Sequence, residues 1–320
     1  MTKSNQTWTT EELELWVPAI LGLVIDKQVT SNLPPIPLDF IKSHRLLNLY
    51  YGSLSSQAVS VPEDIKMLIS NNQKRMLKRM QTLKHIAKVF EENKIEYISL
   101  KGPVLSSMLY GRWDARGSRD IDVLIKRDRL KEALSLLKNL GFVQQHPIND
   151  LRLYMDKEVK LYHPKINLLL ELHVRLFNNP AVWPNVDEEF EQRFLYDDGY
   201  QKWPVLPTDR YYVYLIAHAA LHNFSRLIWL IDILKMRSSM CIEDYESAKQ
   251  LAKSFGLFKW FDKVDGFDRN NWQSIYESTH FNGFKRIKYL WKFRSGLPYR
   301  WHELLRILLV PYRKLRDRNR

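Results

Sequence analysis

The chain has 320 residues, of which 45% are hydrophobic and 12% aromatic, so it can form one large domain or two ordinary ones around a buried core. This composition excludes a disordered or fibrous protein. The single cysteine, Cys241, excludes an intrachain disulfide and a thiolate metal cluster and is typical of a reducing compartment. The sequence shows no secretory signal and no apolar stretch of the roughly 20 residues that span a bilayer, so we expect a cytoplasmic protein.

The net charge of +13 is unevenly distributed along the chain. Residues 285–320 contain twelve Lys or Arg and two acidic residues, which gives this segment a charge of +10. We therefore do not expect the body of the protein to bind nucleic acid. For the segment itself three interpretations are open: a packed helix with a solvated tail, an anchor to a polyanion or an anionic membrane surface, and an RNA contact. The second would hold the cytoplasmic protein peripherally at a membrane.

Residues 1–93 are predicted to form a helical N-terminal region. Helical patterns cover residues 11–25 and 38–54, and a proline-rich loop separates them. After Pro62, apolar residues recur every three or four positions and predict one long helix with a core-facing stripe, formed by Met76, Met80, Leu83, Ala87 and Phe90.

Residues 94–180 are predicted to alternate between strands and helices. A short β-rich run ends at Lys101-Gly102, and Pro103 is suited to open a helix. After a loop, polar and apolar residues alternate over residues 120–123 and apolar residues continue to 125, which predicts a strand over residues 120–125.

A helix and a hairpin are expected next. Asp128 is predicted to cap the helix and Gly141 to close it. The hairpin is predicted to have arms at residues 158–162 and 168–174, joined by a turn over residues 163–167.

Residues 181–320 are predicted to form a helical C-terminal region that ends in the basic segment. Thr208 is expected to cap the first of four helices, over residues 209–222, 226–237, 242–255 and 304–315. The whole pattern predicts an α+β fold in which a small mixed β-sheet, the core of residues 94–180, is flanked by helices and by helical N- and C-terminal regions.

Two carboxylates at positions i and i+2 are the most informative chemical feature. Asp120 and Asp122 share one face of the predicted strand at a separation of about 7 Å, a spacing that suits a divalent cation. Without a cation the two charges repel each other, so we expect Asn at either position to leave folding nearly intact. Glu171 and His173 share a face of the second hairpin arm. The three acids can hold two divalent ions, although a solvated strand edge is the alternative.

Two histidines precede a tryptophan at helical spacing. Steps of 4, 4 and 3 residues are predicted to place His218, His222, Arg226 and Trp229 on one stripe of a helix. A zinc site, a polar stripe that faces a nucleotide cleft, and ordinary packing are the three interpretations.

The run from Leu100 to Tyr110, followed by the run from Arg116 to Ile125, resembles the polymerase-β-like minimal nucleotidyltransferases. The similarity is greatest to the branch described as uncharacterised nucleotidyltransferases, which often lies near genes for polysaccharide or lasso-peptide biosynthesis. Later motifs of that pattern are matched by Glu171-Leu-His173, by the two histidines, and by Trp229-Leu-Ile-Asp232. The resemblance covers residues 94–255, about half of the chain.

The resemblance implies a role for each matching residue. Asp120, Asp122 and Glu171 would be catalytic metal ligands in a two-Mg²⁺ site, and His173 would orient an acid or an acceptor hydroxyl. The implied nucleotide-binding residues are Lys101, Gly102, Arg116, Ser118, Arg119, His218 and His222. Pro103 departs from the pattern, because many relatives have a small residue with a backbone N–H there.

The implied activity is a metal-dependent nucleotidyl transfer. A nucleoside monophosphate would move from an NTP to an unidentified hydroxyl or phosphate acceptor, in the biosynthesis of a polysaccharide or a peptide natural product. The alternative is a non-catalytic nucleotide-binding or regulatory module on the same fold. The intact acids favour the enzyme, and Pro103 favours the alternative.

Overall fold

The N-terminal part of the chain is helical. The computed structural model describes residues 8–27, 33–267, 272, 293 and 296–318. Four helices precede the first strand: α1 (Thr10–Ile25), α2 (Leu38–Ser43), α3 (Leu47–Ser56) and α4 (Glu63–Glu92). All five residues of the predicted apolar stripe are buried on α4. The helical pattern over residues 38–54 corresponds to two helices, because a turn at Arg45, where φ is 60°, separates α2 from α3.

Strands and helices alternate in the middle of the chain, as predicted. The elements are β1 (Tyr97–Ser99), α5 (Pro103–Tyr110), β2 (Asp120–Ile125), α6 (Leu130–Asn139), β3 (Val143–Gln144), α7 (Asp150–Met155), β4 (Glu158–His163) and β5 (Leu168–His173). The sequence pattern does not predict β3 and α7, which are only two and six residues long. Gly141 follows α6 with a φ of 90°, the left-handed conformation expected of a residue that closes a helix.

The five strands form one mixed sheet with the order β1-β2-β5-β4-β3. β2 and β5 are parallel, and the other three pairings are antiparallel. Strand β2 therefore lies inside the sheet, with β1 on one side and β5 on the other. The parallel pairing brings the two strands that carry the candidate acids next to each other in the same direction.

The remaining described residues add a second hairpin and more helices. They are α8 (Asp187–Glu191), β6 (Phe194–Asp197), β7 (Lys202–Val205), α9 (Thr208–Leu221), α10 (Leu227–Ser239), α11 (Ile242–Ser254), α12 (Phe258–Asp265) and α13 (Leu297–Arg318). The hairpin and α12 are not predicted from the sequence. None of the described helices is both long and apolar enough to cross a membrane.

Two predicted helix caps were wrong. Asp128 lies inside a 3₁₀ turn, Arg127–Arg129, so α6 begins one residue later than a cap at Asp128 would require. Thr208 is the first helical residue of α9 and Pro207 takes the cap position. Proline at 207 has the extended ψ of 151° that a cap residue adopts, so the helix starts directly after it.

One continuous cluster of buried apolar side chains extends from Leu13 in α1 to Tyr299 in α13. The α+β fold, with a small mixed sheet among helices and with helices towards both ends, is therefore confirmed. The boundaries of the three regions, 1–93, 94–180 and 181–320, stay predictions, because the apolar cluster continues across both of them.

Candidate active site

Asp122 and Glu171 face each other across the parallel strands β2 and β5. They are register partners, and His173 follows two residues later on the same face of β5. Oxygen or nitrogen atoms of these three side chains all lie within 4.8 Å of one another. Asp120, two residues before Asp122, lies on the same face of β2. The sheet thus brings the acids of two neighbouring strands together on one face, as expected.

Two lysines neutralise the paired carboxylates. Lys101 Nζ lies 3.1 Å from Asp122 Oδ1, and Lys160 Nζ lies 3.1 Å from Glu171 Oε1. Burial alone would lower the pKa of Lys101, but Asp122 outweighs it, so the pKa is raised and the ammonium stays charged. Burial likewise would raise the pKa of Asp122, yet Lys101 and His173 hold it below its ordinary value. The site therefore keeps Asp122 ionised.

His173 is oriented by a lysine on one side and an aspartate on the other. Lys157 Nζ lies 3.1 Å from Nδ1, and Asp122 Oδ1 lies 3.2 Å from Nε2. An ammonium can only donate, so Nδ1 accepts and the imidazole proton is on Nε2, which donates to Asp122. Such an imidazole has no lone pair free for a cation. His173, which is fully buried, thus acts on Asp122 as an orienting group.

The helix α9 closes the site above the acids. The buried Tyr214 hydroxyl interacts with Lys101, and its pKa is raised to about 12 by burial, with a further contribution from Asp122. Burial and the charge of Lys101 hold the pKa of His218 well below its ordinary value. His218 is thus a neutral imidazole at physiological pH, close to the ion pair of Lys101 and Asp122.

The turn between β1 and α5 requires glycine. Gly102 has a φ of 73° and a ψ of −141°, a conformation that side chains disfavour. Ser118 Oγ donates to the backbone oxygen of Asp120 at 2.6 Å and lies 3.3 Å from its carboxylate. The buried Tyr211 hydroxyl donates to the backbone oxygen of Leu100, just before the turn. These contacts fix the loop backbone beside the acids.

Arg116 points away from solvent and into a buried ion pair. Its Nε donates to Asp232 Oδ2 at 2.6 Å, and the Tyr110 hydroxyl donates to Oδ1 at 2.8 Å. The arginine is only 2% exposed, so this network joins the loop after α5 to α10. The predicted nucleotide contact of Arg116 stays a prediction, as does that of Arg119, whose side chain is exposed.

Arg226 and Trp229 do not share a helical stripe with the two histidines, which corrects the prediction that all four do. Helix α9 ends at Leu221, and Asn223 and Phe224 have left-handed φ values of 54° and 47°, so the chain turns before α10. The turn nevertheless brings the rings together. The centroid of Trp229 lies 5.4 Å from that of His218 and 5.0 Å from that of His222, and Arg226 lies 5.1 Å above Trp229.

The chemistry of the donor set fits a divalent cation that prefers oxygen. The carboxylates of Asp122 and Glu171 are paired across β2 and β5, and Asp120 adds a third on the same face. Since the Nε2 proton of His173 already points to Asp122, the carboxylates are the donors. Lys101 and Lys160 offset the negative charge of the same oxygens.

Sequence patterns missed several residues of this site. Lys157 directly precedes β4, Lys160 lies on β4, and Tyr214 lies on α9. The alternation along the first hairpin arm could have indicated Lys160, because residues on one face of β4 lie beside the acids on β5. Nothing local distinguishes Tyr214 from the other buried tyrosines of α9.

Comparison with known protein families identifies the chain as a member of a nucleotidyltransferase family. Residues 37–261 match the family model described as "Uncharacterised nucleotidyltransferase", so the chain belongs to that family. Similar solved structures include the antibiotic-resistance factor ANT(2'')-Ia, at 11% identity and a TM-score of 0.41, covering 56% of this chain and 92% of that one. An antigenic nucleotidyltransferase-like protein from Paracoccidioides brasiliensis has 16% identity and a TM-score of 0.35, covering 54% and 87%. No curated protein matches the chain.

Proposed function

We propose that the protein transfers a nucleoside monophosphate from an NTP to a hydroxyl or phosphate acceptor and releases pyrophosphate. The observation that carries this proposal is the pairing of Asp122 with Glu171 across parallel strands, with Asp120 two residues earlier on the same face. In the reaction an acceptor oxygen forms a bond to the α-phosphorus while the bond from that phosphorus to the bridging oxygen breaks.

Asp120, Asp122 and Glu171 would hold Mg²⁺ in this proposal. Bound there, the ions would supply positive charge to the triphosphate and favour the ionised acceptor oxygen. The protein's own side chains would orient the metal ligands and bind the phosphate oxygens. His173 keeps the Asp122 carboxylate in one orientation through its Nε2 proton. Lys101, which lies 3.1 Å from Asp122, would donate to a phosphate oxygen.

The turn at Gly102 supports nucleotide binding next to the acids. Its glycine conformation lets the backbone approach a phosphate closely, and α5 begins immediately after it. Pro103 is the first residue of α5 and has no N–H, so one donor is missing from that helix terminus. Lys101 and Ser118 are proposed to supply the donors that this proline removes.

The test is a transfer assay with purified protein. The protein is incubated with Mg²⁺ and each NTP labelled at the α-phosphate, alone and with fractions of a cell lysate, and pyrophosphate release is measured in parallel. We expect the label to appear in a larger product in step with pyrophosphate, and both signals to disappear with Asp120→Asn. Asp39→Asn, an exposed acid on α2, is the control. Tight NTP binding with no release of pyrophosphate under any condition would favour the non-catalytic module.

A further inference from the structure

Asp120 lies among arginines that come from separate parts of the chain. They are Arg45, between α2 and α3; Arg79, on α4; Arg119, in the loop before β2; and Arg226, directly before α10. The Asp120 carboxylate interacts electrostatically with Arg45, Arg79 and Arg226. Arg119 interacts with both Arg45 and Arg226. These four side chains are called the arginine cluster.

The backbone holds the arginine cluster in place. Arg79 donates through Nη2 to the backbone oxygen of Arg119 at 3.0 Å, which ties α4 to the loop. The Arg45 backbone oxygen lies 3.6 Å from where a Cβ on Gly117 would be, so that loop passes close to the turn after α2. Arg226 is stacked over Trp229. The guanidinium groups thus converge because four elements are packed together, and not because of neighbouring positions in the sequence.

Among the described residues, the positive charge of the cluster exceeds the negative charge that interacts with it. Arg45, Arg79 and Arg226 share the carboxylate of Asp120. Asp232, which also interacts with Arg45, is already paired with Arg116. In the described part of the chain the Nε atoms of Arg45 and Arg79 are buried without a hydrogen-bond partner. A buried donor without an acceptor is costly, so these atoms are suited to an incoming anion.

The titration behaviour of the cluster agrees with this shortage of anions. Burial, followed by repulsion from Arg226, lowers the pKa of Arg45 to about 10. Burial also lowers the pKa values of Arg79 and Arg226, with Arg75 and Arg119 as the respective repelling neighbours. A dianionic group among these side chains would oppose these effects by raising the pKa of each arginine.

We infer that the arginine cluster binds a phosphate group beside the candidate active site, either the triphosphate of the NTP or a phosphate carried by the acceptor. Planar guanidinium groups donate in pairs to phosphate oxygens, and a cluster from several directions matches a tetrahedral group better than a planar carboxylate. The position beside Asp120 places that phosphate at the reaction site. The identity of the ligand as a substrate rests on the proposed function, whereas the anion site rests on the arginines alone.

Two binding measurements distinguish the sources of the phosphate. In the first, a non-hydrolysable NTP analogue with Mg²⁺ is titrated into the full-length protein by calorimetry. In the second, inorganic pyrophosphate is titrated into protein already saturated with that analogue, so that only a separate acceptor site can respond. The variants are Arg45→Gln, Arg79→Gln and Arg79→Lys, and the control is Lys88→Gln, an exposed lysine further along α4.

We expect Arg45→Gln and Arg79→Gln each to weaken one of the two affinities about tenfold or more, since each removes a charged donor. Arg79→Lys should recover only part of the loss, because it keeps the charge but not the paired donors. Loss of NTP affinity identifies the triphosphate, and loss of the second pyrophosphate site identifies an acceptor phosphate. Thermal unfolding checks that each variant is folded, and Arg79→Gln provides the test if Arg45→Gln does not fold.

The inference would be overturned if the arginine variants, like Lys88→Gln, bound both the NTP analogue and pyrophosphate with unchanged affinity. An equal loss for the control would also overturn it, because that would show only a general effect of net charge. A wild-type protein that binds these anions but transfers no nucleotide would instead refute the proposed function and leave the anion site standing.

Discussion

Asp122 is held by an ammonium group and by an imidazole N–H before any cation binds. It is only 2% exposed, and Lys101 Nζ and His173 Nε2 both lie within 3.2 Å of its Oδ1. The sequence alone suggested a carboxylate whose charge is unfavourable without metal. The structure shows the reverse for Asp122: its charge is what keeps a nearly buried ammonium satisfied. The earlier expectation that Asn at this position leaves folding nearly intact is therefore corrected.

Asp122→Asn is expected to abolish transfer and to lower the free energy of unfolding by about 3 kcal/mol, because it leaves the Lys101 charge buried and unpaired. Adding Lys101→Met to Asp122→Asn should recover part of that loss, since the unpaired charge is removed. Urea unfolding of the wild type, the two single variants and the double variant measures the coupling between the residues. If the double variant is as unstable as the sum of the singles, the two side chains do not interact as described.

At the scale of elements, the register of one hairpin decides which side chains reach the acids. The sequence pattern predicts a turn over residues 163–167, whereas His163 still belongs to β4 and pairs with Leu168. This one-residue difference places Lys160 opposite Glu171. The predicted turn therefore pairs Lys160 with the wrong residue of β5, although the alternation along the arm indicates the face on which Lys160 lies.

The alternation within single strands was easier to predict than contacts between distant elements. Asp120 and Asp122 share a face simply because they are two residues apart on β2, and Glu171 and His173 share a face of β5 for the same reason. The arginine cluster joins residues up to 181 positions apart, Arg45 and Arg226, and no local pattern connects them. Packing of the N-terminal helices against the sheet, which sequence periodicity does not specify, creates that cluster.

Alanine is predicted to change the free energy of unfolding in opposite directions at two glycines, Gly102 in the turn between β1 and α5 and Gly52 in α3. Gly102→Ala should lower the free energy of unfolding by about 1–3 kcal/mol, because its backbone conformation is disfavoured for any residue with a Cβ. The added methyl itself has room, with the nearest atom, Asp120 O, at 3.6 Å. Gly52→Ala in α3, where nothing lies within 4 Å and φ is not positive, should instead raise it by about 0.5–1 kcal/mol.

Chemical unfolding of both glycine variants beside the wild type measures this difference. NTP affinity, measured on the same samples, should fall for Gly102→Ala and stay unchanged for Gly52→Ala. Equal stability changes of the same sign would show that the left-handed conformation of Gly102 carries no cost.

At the scale of the whole molecule, Asp114 joins the N-terminal helices to the loop before β2. Gln73 on α4 donates to its Oδ2 at 2.7 Å, Arg112 donates to both carboxylate oxygens, and Asn48 on α3 donates to its backbone oxygen. Burial would raise the pKa of Asp114, but the hydrogen bonds from Arg112 and Gln73 lower it below its ordinary value. The ionised carboxylate is thus the form that holds these elements together.

The pH dependence of stability follows from that depressed pKa. Asp114 stabilises the fold fully above the unfolded-state pKa of about 3.9, and the contribution is lost as the pH falls through the lower folded-state pKa. Asp114→Asn should therefore be less stable than the wild type at neutral pH, and the difference should narrow below about pH 4. Urea unfolding from pH 6 to pH 2.5 tests this, with Asp39→Asn on the exposed face of α2 as the control. A difference that stays constant with pH would contradict it.

The basic C-terminal segment, residues 285–320, is the remaining large feature of the molecule. Helix α13 is fixed at its beginning, where Asn179 donates to the backbone oxygen of Tyr299 at 3.0 Å and to Glu303 at 2.9 Å. The described start of the segment is thus packed on the core, as one interpretation of the sequence expects. Most of the +10 charge of the segment is carried by residues outside that contact.

We predict that these charges hold the protein to anionic membranes or to a polyanionic acceptor. Each basic residue near an anionic surface contributes about 1 kcal/mol, so several must act together, and added salt must weaken the attraction. In flotation with liposomes that contain anionic lipid, the wild type should float at low salt and remain at the bottom at high salt. A variant with Gln at Arg313, Lys314, Arg316 and Arg318 should float much less, while Gln at Lys74, Lys78, Lys84 and Lys88 of α4 removes equal charge elsewhere and should change little. If the wild type and both variants stay at the bottom at every salt concentration, the segment is only a packed helix with a solvated tail.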